Sequence, residues 1–221
     1  MKLSSETLAV LKNFSGICEA IHIKPGNRIT VQSKCKTVYA RAEVSDTFPQ
    51  ALAIYNLPQF LNVFGMLNEP DLELSGGREA RFISGKTIVR YTFAEPSLIP
   101  AAPAGIAVPN VVTTFDLAAD ELQQLIRGAT AMGLPEFVIE GDGVDLRMYA
   151  GDTSSPSSNS YNVYVGKTDK SFKAIVRFER FKQMLRDYKV TVSNRLIQFE
   201  STDPKGPPTT YWTALEDRSK F

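Results

Sequence analysis

The stretch AIYNLPQFLNVFGML (residues 53–67) lies over AIVRFERFKQMLRDY (residues 174–188) without a gap. The overlay puts Leu57, Phe60 and Phe64 onto Phe178, Phe181 and Leu185. That spacing lines one face of an amphipathic helix, so a helix is expected in each segment. Pro58 fits because it falls in the first turn, where its missing N–H is not needed.

Working outward from these segments, the same order of elements occurs twice. Ser4 or Ser5 caps a first helix carrying Leu8, Leu11 and Phe14, and Asp116 or Asp120 opens a third carrying Leu122, Leu125, Ile126 and Ala129. Leu8 and Leu11 lie over Leu122 and Leu125. Alternating segments follow each of these helices: RITVQ and TVYARAEV in the first half, residues 136–140, 144–149, 161–166 and 172–176 in the second. Further strands follow the second and fourth helices, around Leu72 and Leu74, at 80–84 and 87–93, then at 188–193, 195–200 and 209–215. The two helix pairs need slightly different offsets, and the polar loop GDTSSPSSNS (151–160) absorbs the difference. We read a duplication with a period of about 118 residues, of the domain-repeat kind. The domains are expected at 1–95 and 115–221, joined by a proline-rich connector at 96–114 whose composition suits an extended spacer.

The 221 residues are 43% hydrophobic and 22% charged, an ordinary globular composition. With 25 Lys and Arg against 24 Asp and Glu, the net charge of +1 excludes a protein that coats DNA by bulk phosphate neutralisation. It leaves a locally basic surface open. Prolines 96, 100, 103 and 109 argue against a membrane helix in the long uncharged stretch. The N-terminal segment lacks the apolar run of a signal peptide. Cys18 and Cys35 have no zinc-ligand companions, and a structural disulfide is not expected.

Charge is most biased between Lys167 and Arg186, with seven basic residues and two acidic ones. On helical wheels Arg180, Gln183 and Arg186 fall opposite the apolar stripe of the fourth helix, Arg127 falls opposite that of the third, and Lys12 lies near the edge of the first helix's polar face. The second helix offers only Gln59 and Asn62. Such faces are either solvated or meet phosphate without reading bases, and the pattern does not choose between them.

No catalytic signature is present: there is no phosphate loop and no nucleophile elbow, and the single His22 sits in an alternating strand. Gly141, Asp142 and Gly143 read as a hairpin turn. Asp142, Asp145 and Asp152 match no calcium-loop spacing. No enzyme activity, cofactor or metal is expected.

MKLS (1–4), LKNF (11–14), AIY (53–55), LQQL followed by Arg127, ALE (214–216) and the final Phe221, taken in order along the whole chain, resemble the sliding clamps, or DNA polymerase processivity factors, of T-even-type bacteriophages. The resemblance is weaker between about residues 130 and 175. It implies an α+β DNA-clamp fold of two similar domains, each with two inner helices packed on antiparallel sheet, three subunits closing head to tail into a ring around duplex DNA. It implies Lys12, Arg127, Arg180 and Arg186 as DNA-facing residues in weak, sequence-independent contact with phosphate. It also implies joints between edge strands, with Ile88 and Tyr91 of one subunit against Val163 and Val165 of the next. Implied partners are double-stranded DNA, the phage DNA polymerase, an ATP-dependent clamp loader and two further copies of the chain, with no membrane, in the host bacterial cytoplasm. Support of late transcription is a further implication. The competing readings are a duplicated-domain structural or assembly protein of a phage particle and, more remotely, a DNA enzyme.

Overall fold

The computed structural model describes residues 1–155 and 157–221. The chain divides into two compact units, 1–104 with 205–209, and 105–204 with 210–221.

In the first unit, α1 (Ser5–Ser15) starts where the Ser4 hydroxyl accepts the Thr7 N–H at 3.1 Å. Asp46 fixes that cap by accepting the Ser4 hydroxyl at 2.8 Å. Strands β1 (Ile21–Ile23), β2 (Gly26–Gln32), β3 (Val38–Phe48) and β4 (Leu52–Ile54) follow, with β1 antiparallel to β4 and β2 to β3. Helix α2 (Leu57–Met66) is capped by Asn56, whose side chain accepts the Gln59 N–H at 2.9 Å, and Pro58 occupies its first turn as expected. Then β5 (Asp71–Leu74), β6 (Glu79–Ser84) and β7 (Thr87–Thr92) form a meander in which β7 is an edge. Helix α1 packs on α2 and β3. Phe60 and Phe64 of α2, Phe82 of β6 and Tyr91 of β7 meet edge to face, with ring centroids 4.9–5.5 Å apart for the pairs Phe60–Phe64, Phe60–Tyr91 and Phe64–Phe82. Four interlocked rings hold α2 on the meander.

In the second unit, β8 (Val111–Leu117) leads into α3 (Ala119–Met132), then β9 (Glu136–Asp142), β10 (Asp145–Gly151), β11 (Tyr161–Lys167) and β12 (Ser171–Arg177). These four strands form an antiparallel sheet ordered β11-β10-β9-β12. The chain closes with β13 (Tyr188–Ser193), β14 (Leu196–Ser201) and β15 (Thr209–Ala214), β13 pairing with both β8 and β14. Strand β8 begins inside the stretch expected as a connector, because Val111–Leu117 has a partner that the local sequence does not reveal.

Two expectations need correction. The third helix is capped neither by Asp116 nor by Asp120: Asp116 lies in β8 opposite Lys189. The cap residue is Ala118, whose N–H reaches the Glu121 carboxylate at 2.9 Å, while Asp187 accepts the Ala119 N–H at 2.8 Å. Two carboxylates near the helix N-terminus complement its positive end.

The fourth helix is a single 3-10 turn, Phe178–Arg180, so among the described residues the second unit has one α-helix and not two. Its start has no side-chain cap, unlike α2 with Asn56. Without that donor satisfaction the costly first turn is not secured. Competing contacts draw the chain out: Phe178 and Phe181 both pack on Phe137, at 5.1 and 4.5 Å, and Phe181 turns to an extended conformation to reach Phe199 at 5.3 Å. Gln183 is then buried against Thr213, and Leu185, expected on the apolar face, is 50% exposed. The packing runs through positions 178, 181 and 183, which no helical stripe would select.

Candidate nucleic-acid interface

Lys12 stands in the last turn of α1, exposed, where a cation complements the negative end of the helix. Val10, Leu11 and Phe14 turn the opposite face into the core. Arg127 is likewise exposed on α3, opposite the buried Leu122, Leu125 and Ala129. Beyond the acidic first turn, the exposed positions around Arg127 are Gln124, Thr130 and Ala131, none of them charged. Among the described residues neither Lys12 nor Arg127 has an ion-pair partner. Both are therefore available to an external anion. The exposed positions of α2 include Pro58, Gln59, Asn62 and Met66, with no cation.

Arg180 and Arg186 are placed differently, because the helix expected to present them does not form. The Arg180 guanidinium is bound to Glu216 and is 25% exposed. Arg177 shares the same carboxylate through its Nε at 3.1 Å. Arg186 is half-buried and close to the phenols of Tyr188 and Tyr211. Burial pushes both phenols far above their ordinary range, and the guanidinium offsets only part of that shift. These arginines serve packing on an irregular segment. Next to Arg186, Asp187 accepts the Ala119 N–H at the start of α3.

The four expected joint residues all lie on sheet edges. On β7, Val89 and Tyr91 face inward while Ile88 is 56% exposed on the opposite face. Tyr91 is half-buried, its ring already against Phe60 and Phe93. On β11, Val163 and Val165 share a half-buried face with Tyr161, and Tyr164 is exposed on the other. The Tyr161 ring is pressed against Gly128 of α3: a Cβ built there would come within 2.5 Å of the ring. Among the described residues, strand β7 is paired only by β6, and β11 in its sheet only by β10.

Two of the acidic residues weighed as cation ligands, Asp142 and Asp152, accept hydrogen bonds within turns. Asp142 accepts the N–H groups of Asp145 and Val144 at 2.8 and 3.0 Å, which holds its carboxyl below the usual range. Asp152 accepts from the hydroxyl and N–H of Ser154, with the same effect. His22 lies in β1 between the buried Ile21 and Ile23.

A buried ion pair escaped the sequence reading. Glu136, with a side chain only 5% exposed, is bound by Arg218 and accepts the N–H and hydroxyl of Thr153 at 2.8 and 2.6 Å. No local signal joins Glu136 to Arg218, which are far apart in sequence. Cys18 is buried and Cys35 exposed, and both are free thiols.

The family model of the DNA polymerase processivity factors matches residues 4–76. The sliding clamp of Vibrio phage KVP40 is 28% identical over 203 residues, covering 87% of this chain and 90% of the phage protein. That of Enterobacteria phage T4 is 28% identical over 197 residues, 86% of each chain. That of Escherichia phage RB69 is 31% identical over 143 residues, 63% of this chain and 61% of its own. Among solved structures, the PCNA of A. fulgidus bound to the C-terminal region of FEN-1 superposes with a TM-score of 0.72 at 10% identity, covering 95% of this chain and 94% of its own. The β subunit of DNA polymerase III from Pseudomonas aeruginosa superposes with a TM-score of 0.66 at 14% identity, covering 96% of this chain and 62% of that one. The structural likenesses establish the fold; the phage relatives carry the functional information.

Proposed function

We infer that this chain is a sliding clamp of the T-even phage type, a DNA polymerase processivity factor, because its similarity to phage clamps runs along most of both chains on a backbone of the clamp fold. It tethers a polymerase to duplex DNA without chemistry of its own. The near-zero net charge supports retention by encirclement, since binding by phosphate neutralisation alone would need a large positive excess.

The finer features are our proposal. Three copies close head to tail, β7 of one against β11 of the next, using two edges that would otherwise template unwanted pairing. The duplicated domains are joined by the connector at 96–114, and an ATP-dependent loader opens the ring in the host cytoplasm. Lys12 and Arg127, unpaired on helix faces, supply weak contacts to passing phosphates. Arg180 and Arg186 stay outside this proposal in their present conformations, since other groups of the chain occupy them.

Primer extension by the phage polymerase on a singly primed circle, with loader and ATP, tests the activity. Adding the chain should lengthen the products of a single binding event. Unchanged product length with a competent loader would contradict the assignment.

A further inference from the structure

The sheet β11-β10-β9-β12 has two ends, and they are finished differently. Among the described residues, no strand of the same unit pairs with the outer side of β11. The outer side of β12 is covered by residues 215–221, the segment that follows β15. The Glu216 N–H donates to the Ile175 carbonyl at 2.8 Å, and the Ser219 hydroxyl accepts the Ile175 N–H at 3.0 Å. Lys173 and Lys220 exchange both backbone hydrogen bonds, at 2.8 and 2.9 Å. Side chains clamp the same segment: Glu216 takes Arg177 and Arg180, Arg218 takes the buried Glu136, and Phe221 stacks on Phe172 with ring planes 3° apart.

The first unit has only the beginning of this arrangement. Ala94, after β7, donates to the Ala53 carbonyl of β4 at 2.8 Å, and the chain then turns at Glu95 and Pro96 into a short 3-10 turn. The longer strap is particular to the second unit.

We propose that residues 215–221 are an edge guard, closing β12 against strands of other copies so that β11 is the one acceptor its sheet offers. This rests on the head-to-tail reading above, in which each copy must present a single donor edge and a single acceptor edge. An open β12 would be a second acceptor for β7, and a copy with two acceptors builds branched or unending assemblies in place of a closed ring. The guard is held by several ion pairs as well as by hydrogen bonds, so it persists where a bare strand end would fray.

Sedimentation velocity on the full chain and on two disrupted forms tests the guard. One form ends after Leu215; the other is the full chain with Ser219→Ala and Lys220→Pro, which removes two hydrogen bonds to the backbone of β12, those of the Ser219 hydroxyl and the Lys220 N–H, and leaves the ion pairs of Glu216 and Arg218 in place. Each is also made with Lys173→Pro, because a proline whose N–H would point off the sheet edge is tolerated there and spoils that edge for pairing. Both disrupted forms should gain species heavier than the ring that increase with concentration, and Lys173→Pro should abolish them. If the truncated form proves unfolded by circular dichroism, the Ser219→Ala, Lys220→Pro chain decides alone. Folded variants that keep the parent's mass distribution would overturn the guard, as would heavy species that survive Lys173→Pro. A parent chain that never exceeds the monomer mass would instead refute the ring reading, which the same experiment registers separately.

Discussion

Gly128 lies where α3 meets the Tyr161 ring of the edge strand β11. Its missing side chain lets Tyr161 close against the helix, and a methyl there would meet two ring carbons and the Cβ of Tyr161 at 2.5–3.0 Å. Gly128→Ala should therefore destabilise the chain by about 1–3 kcal/mol from overpacking, offset by up to about 1 kcal/mol of gained helix propensity. A calorimetric scan should show the midpoint falling by a few degrees. Because the displaced ring belongs to β11, the variant should also associate more weakly with other copies. Arg218→Ala leaves the Glu136 carboxylate buried with only Thr153 for company. Breaking a fully buried pair costs about 3–5 kcal/mol, but Arg218 itself is half exposed, so about 2 kcal/mol is expected by denaturant titration. Cys35 tests local electrostatics: the hydroxyls of Thr37 and Ser33 stabilise its thiolate and bring its pKa down to about 7. The reactive anion is depleted as pH falls through that value and dominates above it. Alkylation of Cys35 should reach half its maximal rate near pH 7, and Thr37→Val should move that midpoint upward. Buried Cys18 should stay unmodified in the folded protein.

Among elements, helices with a cap and an uninterrupted apolar stripe were legible in the sequence: α1 from Ser4 and α2 around Pro58 form as read, as do the hairpin at Gly143 and the two meanders. What the local pattern could not convey is competition. Phe178, Phe181 and Leu185 have helical spacing, but the extended path seats Phe181 between Phe137 and Phe199, and distant Glu216 draws in Arg177 and Arg180. Strand β8 was read as connector for the same reason, since its partner β13 lies more than seventy residues away. The consequence for the candidate site is a division among its cations. Lys12→Ala with Arg127→Ala should leave the thermal midpoint nearly unchanged and reduce clamp loading and clamp-dependent synthesis, most at low salt and less as salt rises, because each lost phosphate contact makes the salt slope shallower by about 0.9. Arg180→Ala should do the reverse, lowering stability by about 1–2 kcal/mol because Glu216 loses one of its two partners. Equal effects of both sets on loading would mean that the irregular segment also meets DNA.

At the scale of the whole molecule, a net charge of +1 and two unpartnered cations on helix faces amount to a weak, non-specific attraction for phosphate. Weak contact suits motion along DNA, and in the proposed ring retention comes from closure. There the edges β7 and β11 would provide the means for closure, and the strap over β12 would restrict where it occurs. Sedimentation should give the mass of three chains at micromolar concentration, with dissociation on dilution. Persistence on DNA of different topology tests encirclement most directly. After loading onto a nicked circle, the chain should co-elute with the DNA through gel filtration, and cutting the circle once should release it within the time of the column. Equal retention on the circle and on the cut, linear molecule would show that affinity holds it there, and would contradict the account.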